Sequence, residues 1–229
     1  MNGSLTQDLR RKPPRLHGRG DECWGLDWTA LAWLERALEP GLDTLETGAG
    51  TSTVVFAAAG TDHEAVTPDP AEEERIRAEC ERRGISSERV SFRIGLSHEV
   101  LPMLPQRQLD LVLIDGAHGF PYPILDWWYL APRLRVGGLM LVDDCYMQPV
   151  AALVDFLRAD ESWEIAATPG RRTIVVRKLA DTPPSFDWRG GRVSFRHLPP
   201  LRRARAAAAH RLLESHFGRR AIALTRRES

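Results

Sequence analysis

The chain of 229 residues has no apolar run long enough to cross a bilayer, so no transmembrane helix is expected. Its first residues, MNGSLTQDLRRKPPRLHGRG, have no apolar stretch of the kind a secretory signal needs. Cysteine is scarce. Cys23, Cys80 and Cys145 are odd in number, far apart and without a CxxC spacing. That argues against a disulfide framework and against a zinc cluster built from thiols alone, and it suits reduced thiols in a cytosol. Net charge is also absent: 31 Lys and Arg balance 31 Asp and Glu. No global field draws the chain to nucleic acid. The expectation is a cytoplasmic protein with neither a membrane nor a nucleic-acid partner.

What is present is alternation. DWTALAWLERALEP spaces Trp28, Leu31, Leu34 and Leu38 along one helical face, and Pro40-Gly41 ends it. LDTLE, HEAVT, VSFRIG, LDLVLID and LMLVDD read as strands, with helices between most of them. The helix after HEAVT is well marked: Asp69 as cap, Pro70 in the first turn, Glu72 to Glu74 at the positive end, and Gly84 as the residue after its close. PILDWWYLAPRLRVGG reads as a helix broken at Pro132 and closed by Gly137-Gly138, and VAALVDFLRAD as a further helix. WEIAATPGRRTIVVRKL reads as a hairpin around Pro169-Gly170. Together these predict an α/β fold: a doubly wound, mostly parallel seven-stranded sheet with one antiparallel edge strand.

Flanking this domain, expected over 27–179, are an amino-terminal arm at 1–26, read as mobile over 1–20, and a basic extension at 180–229. The extension holds only Glu214 and Glu228 as acids beyond residue 188, and residues 199–218 read as a basic helix. Its apolar positions, among them Leu201, Leu212, Leu213 and Phe217, could dock on the main domain or join two copies, so a homo-oligomer through the terminal segments is one expectation.

The turn LETGAGTSTVVFAAAG, residues 45–60, narrows the ligand. Gly48 and Gly50 let backbone approach a bound molecule closely. A phosphate loop needs a lysine after its last glycine, and none is here. A dinucleotide turn needs a third glycine where Thr53 stands. Glu46, two residues before the first glycine, opposes a pyrophosphate but suits an ammonium. S-adenosylmethionine (SAM), which carries an α-amino group and a sulfonium, fits best. A second signal lies at two strand ends. Asp115 ends LDLVLID, and Asp143 with Asp144 ends LMLVDD. Three converging carboxylates are costly unless a cation neutralises them, and Mg²⁺ with its preference for oxygen ligands is the natural candidate. His118, three residues after Asp115, could serve as general base. His98, Tyr122, Trp127 and Tyr146 are further pocket candidates.

With these motifs in hand, residues 42–178 resemble class I SAM-dependent methyltransferases, and LIDGAHGFPYPILDWWYLAPRLRVGGLMLVDD resembles metal-dependent small-molecule O-methyltransferases of the macrolide-sugar and catechol kind. The resemblance implies SAM bound by Glu46, Gly48, Ala49, Gly50, Thr51, Ser52, Thr67, Asp69, Leu96, Ser97 and Asp115. It also implies Mg²⁺ on Asp115, Asp143 and Asp144, His118 as catalytic base, and a small-molecule acceptor methylated on oxygen. Two positions depart from the family pattern. Thr67 stands where an acid usually binds the ribose, and Leu96 where an acid usually lies near the adenine amine. Each change removes a charge-assisted hydrogen bond worth about 1.5–3 kcal/mol, leaving the ribose to a hydroxyl, a water or Asp69. The alternatives are a metal-independent transferase acting on nitrogen or another acceptor, a non-catalytic interaction protein on the same fold and, more distantly, a nicotinamide oxidoreductase.

Overall fold

The computed structural model describes residues 4–18 and 25–181. The basic extension from residue 182 and its expected helix, together with Cys23 and Trp24, lie outside the described residues. Seven strands form one sheet: β1 (Asp43–Thr47), β2 (Asp62–Thr67), β3 (Val90–Ile94), β4 (Leu109–Ile114), β5 (Leu134–Val142), β6 (Trp163–Ala167) and β7 (Ile174–Lys178). Their order is β3-β2-β1-β4-β5-β7-β6. β1 to β5 pair in parallel, while β7 runs antiparallel to both β5 and β6. The closing hairpin thus forms the sheet edge, with the antiparallel strand one place in and β6 outside it.

Strand periodicity sorts the core into two layers. Leu111 and Leu113 of β4 face one layer with Leu31, Leu34, Phe56 and Ile76, while Val112 and Ile114 face the other with Leu130, Leu153 and Leu157. The first layer is built by α1 (Leu5–Arg11), α2 (Trp28–Ala37), α3 (Thr51–Ala59) and α4 (Pro70–Arg82). The second is built mainly by α6 (Tyr122–Leu130) and α7 (Gln148–Ala159); the short α5 (Ser97–Val100) precedes β4. The capping signals are realised. Asp27 accepts from Thr29 and Ala30 at the start of α2, and Asp69 accepts from Ala71 at the start of α4. Gly84, after the end of α4, has φ +68°.

Two expectations need correcting. The segment PILDWWYLAPRLRVGG is helical only to Leu130. Pro132 has no N–H to continue the helix, and Leu134 already pairs with Leu109 as the first residue of β5. The arm is not a free tail where it is described. Residues 5–11 form α1, Leu9 is 0% exposed and Leu16 3%, and both belong to the core. The sequence there has too few apolar residues to announce a helix. The Glu35 carboxylate of α2 fastens it, accepting from Ser4 Oγ at 2.5 Å and from the backbone N–H groups of Leu5 and Thr6 at 2.7 and 3.0 Å. Among the described residues no helix is long and apolar enough to cross a membrane. Cys80 and Cys145 are free thiols, and burial pushes Cys145 up to about 11.

Candidate active site

The parallel strands end on one side of the sheet, and the loops beyond them enclose a cavity of about 670 Å³, within the ordinary range for small-molecule sites. Gly48, Ala49, Gly50 and Ser52 wall it after β1; Thr67, Pro68 and Glu72 after β2; Gly95, Leu96, Ser97 and His98 after β3. Asp115, Gly116, Ala117, His118 and Tyr122 follow β4, and Asp144, Tyr146 and Met147 follow β5. Arg172 from the hairpin and His17 and Gly25 from the amino-terminal segment complete the described wall. Of the expected cofactor residues, Glu46, Thr51 and Asp69 are not on it.

The glycine turn has a reason of its own. Gly48 has φ +88°, and a Cβ there would lie 2.4 Å from the backbone oxygen of Asp115. Close packing of the β1 and β4 ends demands this glycine whether or not a ligand is present. Thr53, which spoils a dinucleotide turn, ties this one together: its hydroxyl accepts from Gly50 N at 2.9 Å and donates to Glu46. Glu46 is turned away from the cavity. Its carboxylate also accepts from Ser52 Oγ at 2.6 Å and lies 3.1 Å from His63 Nε2, while His63 stacks on Phe56 at 4.0 Å. The carboxylate read from sequence as an ammonium ligand instead joins β1, β2 and α3. Thr51 is buried. Asp69 is occupied by its cap and by Arg75 at 2.7 Å.

The acid cluster also differs from the expected one. Asp143 is 1% exposed and off the cavity wall. It accepts from the Thr173 hydroxyl and lies 3.2 Å from Arg172 Nη2. It therefore does not join Asp115 and Asp144 in a metal trio. The reason lies just past the end of β5, which closes at Val142: Asp143 turns inward to Thr173 and Arg172, while Asp144 leaves the strand with a left-handed backbone. Asp144, with φ +54°, turns into the cavity, where its Oδ2 lies 3.0 Å from His118 Nε2 and its Oδ1 lies 3.1 Å from Arg172 Nη1. His118 takes the place expected of Asp143, and one donor atom each from Asp115, His118 and Asp144 lie within 4.8 Å of one another.

Burial pushes the Asp115 carboxyl well above its usual range, and the neighbouring Asp143, Asp144 and Glu46 carboxylates add to this against the pull of Arg172. Asp143 is raised by burial, with Thr173 and Arg172 opposing. Arg172 is held more firmly protonated: burial works against its charge, but Asp143, Asp144 and Asp115 outweigh it. A guanidinium thus supplies part of the positive charge that the sequence reading assigned to a metal. Arg172 and His17 carry no signal as site residues, since each enters from a segment remote in sequence from the ends of β1 to β5, and Glu72, five residues after Thr67, reads from sequence only as a helix-dipole acid. Among the other candidates, His98, Tyr122 and Tyr146 line the cavity, whereas Trp127 packs edge-on against Phe156 at 4.9 Å.

Residues 45–145 match the family described as Methyltransferase domain. The O-methyltransferase from Bacillus cereus, solved with S-adenosylhomocysteine (SAH), shares the fold at TM-score 0.62 and 14% identity, covering 79% of this chain and 92% of that one. The O-methyltransferase TomG from Streptomyces achromogenes, involved in tomaymycin synthesis and solved with SAM, gives 0.57 at 13% identity, covering 77% and 87%. An rRNA methylase from Streptococcus thermophilus gives 0.51 at 16% identity, covering 66% and 95%. No curated protein sequence matches the chain. Strand order and shared fold agree: the chain has the fold of the class I SAM-dependent methyltransferases, and its residues 45–145 match a methyltransferase domain.

Proposed function

We propose that the protein transfers the methyl group of SAM to an oxygen of a small-molecule acceptor. The observation that carries this reading is a single cavity joining the glycine turn at Gly48 to the Asp144–His118 pair, 3.0 Å apart. The residues present suit the cofactor. The start of α3 brings its positive end to the wall at Gly50 and Ser52, which favours the α-carboxylate. Val66 and Leu96 offer apolar surface for a flat base.

SAM bound there supplies a methyl on a sulfonium, open to in-line displacement. The chain's own residues do the rest. Asp144, itself held by Arg172, accepts from His118 Nε2 and leaves Nδ1 as the basic nitrogen. With SAM bound, the acceptor hydroxyl would give its proton to Nδ1 while its oxygen takes the methyl that the sulfonium supplies, and His118 would hold the proton. Tyr122, Tyr146 and Met147 give this end of the cavity an amphipathic wall for the acceptor.

The test is incubation with methyl-labelled SAM and a panel of phenols and sugars, read by mass spectrometry. His118→Ala is expected to lower turnover by about 10²-fold or more while leaving SAM affinity intact. Full turnover in that variant removes His118 from the role of base, and no calorimetric heat with SAM overturns the reading as a whole.

A second reading is favoured by the approach of Asp115, His118 and Asp144 to within 4.8 Å. A divalent cation held by them would act as a Lewis acid on the acceptor oxygen, with His118 as ligand. An imidazole in the set suits a transition ion better than Mg²⁺. Turnover that survives exhaustive chelation supports the base; turnover lost on chelation and restored by one metal supports the cation.

A further inference from the structure

The end of β2 carries no acid. Thr67 stands there, and the nearest acid in sequence, Asp69, is spent on capping Ala71 and pairing with Arg75. The cavity nonetheless has a carboxylate at this place. Glu72, in the first turn of α4, reaches back toward the strand end, where the Thr67 hydroxyl donates to its Oε2. Its Oε1 lies 2.8 Å from Nδ1 of His17, from the amino-terminal segment. Glu72, Thr67 and His17 all line the cavity. The Glu72 side chain is only 14% exposed and is tethered from two sides, so its direction is set. A carboxylate offers about four lone-pair sites. Thr67 and His17 engage one on each oxygen, leaving one on each for two neighbouring hydroxyls.

We propose that Glu72 is the acceptor for a vicinal diol, the ribose of the S-adenosyl ligand, and that His17 is a positioning residue that pins it there. The carboxylate missing from the strand end is thereby delivered from α4, and the amino-terminal segment becomes part of the cofactor site. This rests on the reading that the cavity takes SAM. The competing account is that Glu72 merely complements the helix dipole. Glu73 sits in the same turn and serves the dipole equally while pairing outward with Arg77 at 2.9 Å. A dipole role explains neither the Thr67 contact nor the His17 contact.

The test compares SAH with its 2′,3′-dideoxyribose analogue by calorimetry on the full chain, in the wild type, Glu72→Gln and His17→Ala. The wild type is expected to prefer SAH by about tenfold or more, and Glu72→Gln to lose most of that preference while binding the analogue as the wild type does. His17→Ala is expected to weaken SAH binding roughly three- to tenfold and the analogue hardly at all. A merely structural role for Glu72 would weaken both ligands alike. If Glu72→Gln melts before the measurement, Glu72→Asp, which keeps the charge but withdraws it by one methylene, carries the same comparison. Wild-type binding of both ligands with equal affinity, or an unchanged preference in the Glu72 variant, overturns the proposal. An unaltered His17→Ala overturns the pinning. A wild type that binds neither ligand overturns the SAM reading itself, and the proposal with it.

Discussion

Replacing Arg172 by methionine tests whether the guanidinium is the counter-charge of the acid cluster. Arg172 reaches Asp144 Oδ1 at 3.1 Å through Nη1 and Asp143 Oδ2 at 3.2 Å through Nη2, and it donates to the backbone oxygen of Gly25. Methionine keeps much of the volume and removes the charge, so Asp143, 1% exposed, would keep only the Thr173 hydroxyl as a side-chain partner. Removing one member of a buried ion pair costs about 3–5 kcal/mol. The Arg172 side chain is 28% exposed, so water relieves part of that, and the expected loss is about 2–3 kcal/mol. For a domain of this size each kcal/mol moves Tm by about 2–4 °C, which gives a drop of about 4–12 °C. Arg172→Lys keeps the charge but not the fork that spans both carboxylates, and should fall between the two. The assay is a thermal melt at neutral pH in the presence of chelator, repeated with Mg²⁺ and with Mn²⁺. A methionine variant that melts within about 1 °C of the wild type refutes the reasoning, because something other than Arg172 would then be neutralising the acids. Restoration of the variant by either cation would mark Asp115, His118 and Asp144 as able to hold it.

Two other perturbations probe the supports of the cavity. Gly48→Ala puts a Cβ 2.4 Å from the Asp115 backbone oxygen at a φ of +88°. The conformational strain and overpacking together predict a loss of about 2–5 kcal/mol with weakened SAH binding; unchanged denaturant midpoint and affinity would show that the turn can relax freely. At Glu35, burial works against the charge, but the hydrogen bonds from Ser4, Thr6 and Leu5 outweigh it and hold the carboxyl below its ordinary 4.5. A depressed folded pKa means this stabilisation is present above 4.5 and is lost as pH falls through the folded value. Glu35→Ala should destabilise the docking of α1 by about 1 kcal/mol at neutral pH and progressively less in acid. Hydrogen exchange of residues 5–11 in both proteins, at neutral and acidic pH, reads this out, and equal protection at neutral pH would sink it.

Asp143 and Asp144 diverge just past the end of β5. Periodicity, end caps and turn residues are local, so β1 to β5 and α4, with its Asp69 cap and Gly84 close, could be read directly from the chain. Asp143 and Asp144 lie beyond that periodicity, because β5 ends at Val142 and the left-handed backbone of Asp144 sends the two carboxylates different ways. No local pattern marks which of the two faces the cavity, where His118, three residues after Asp115, joins Asp115 and Asp144. Glu46 was misjudged for a related reason. Its spacing from Gly48 suggests a ligand-facing acid, but Ser52 and Thr53, one turn later, offer two hydroxyls to the same carboxylate and turn it inward. Arg172, His17 and Glu72 were beyond reach in a different sense. Each meets its partner through the tertiary path of a hairpin, an amino-terminal segment or a helix start, and nothing in the spacing of GRRT, RLHG or PDPAEEE records that path. Thr67 is where the two kinds of information meet. Its lack of a charge was legible as a deficit at the ribose position, and the carboxylate beside it, five residues on and tethered to it, appears only once α4 is docked against the end of β2.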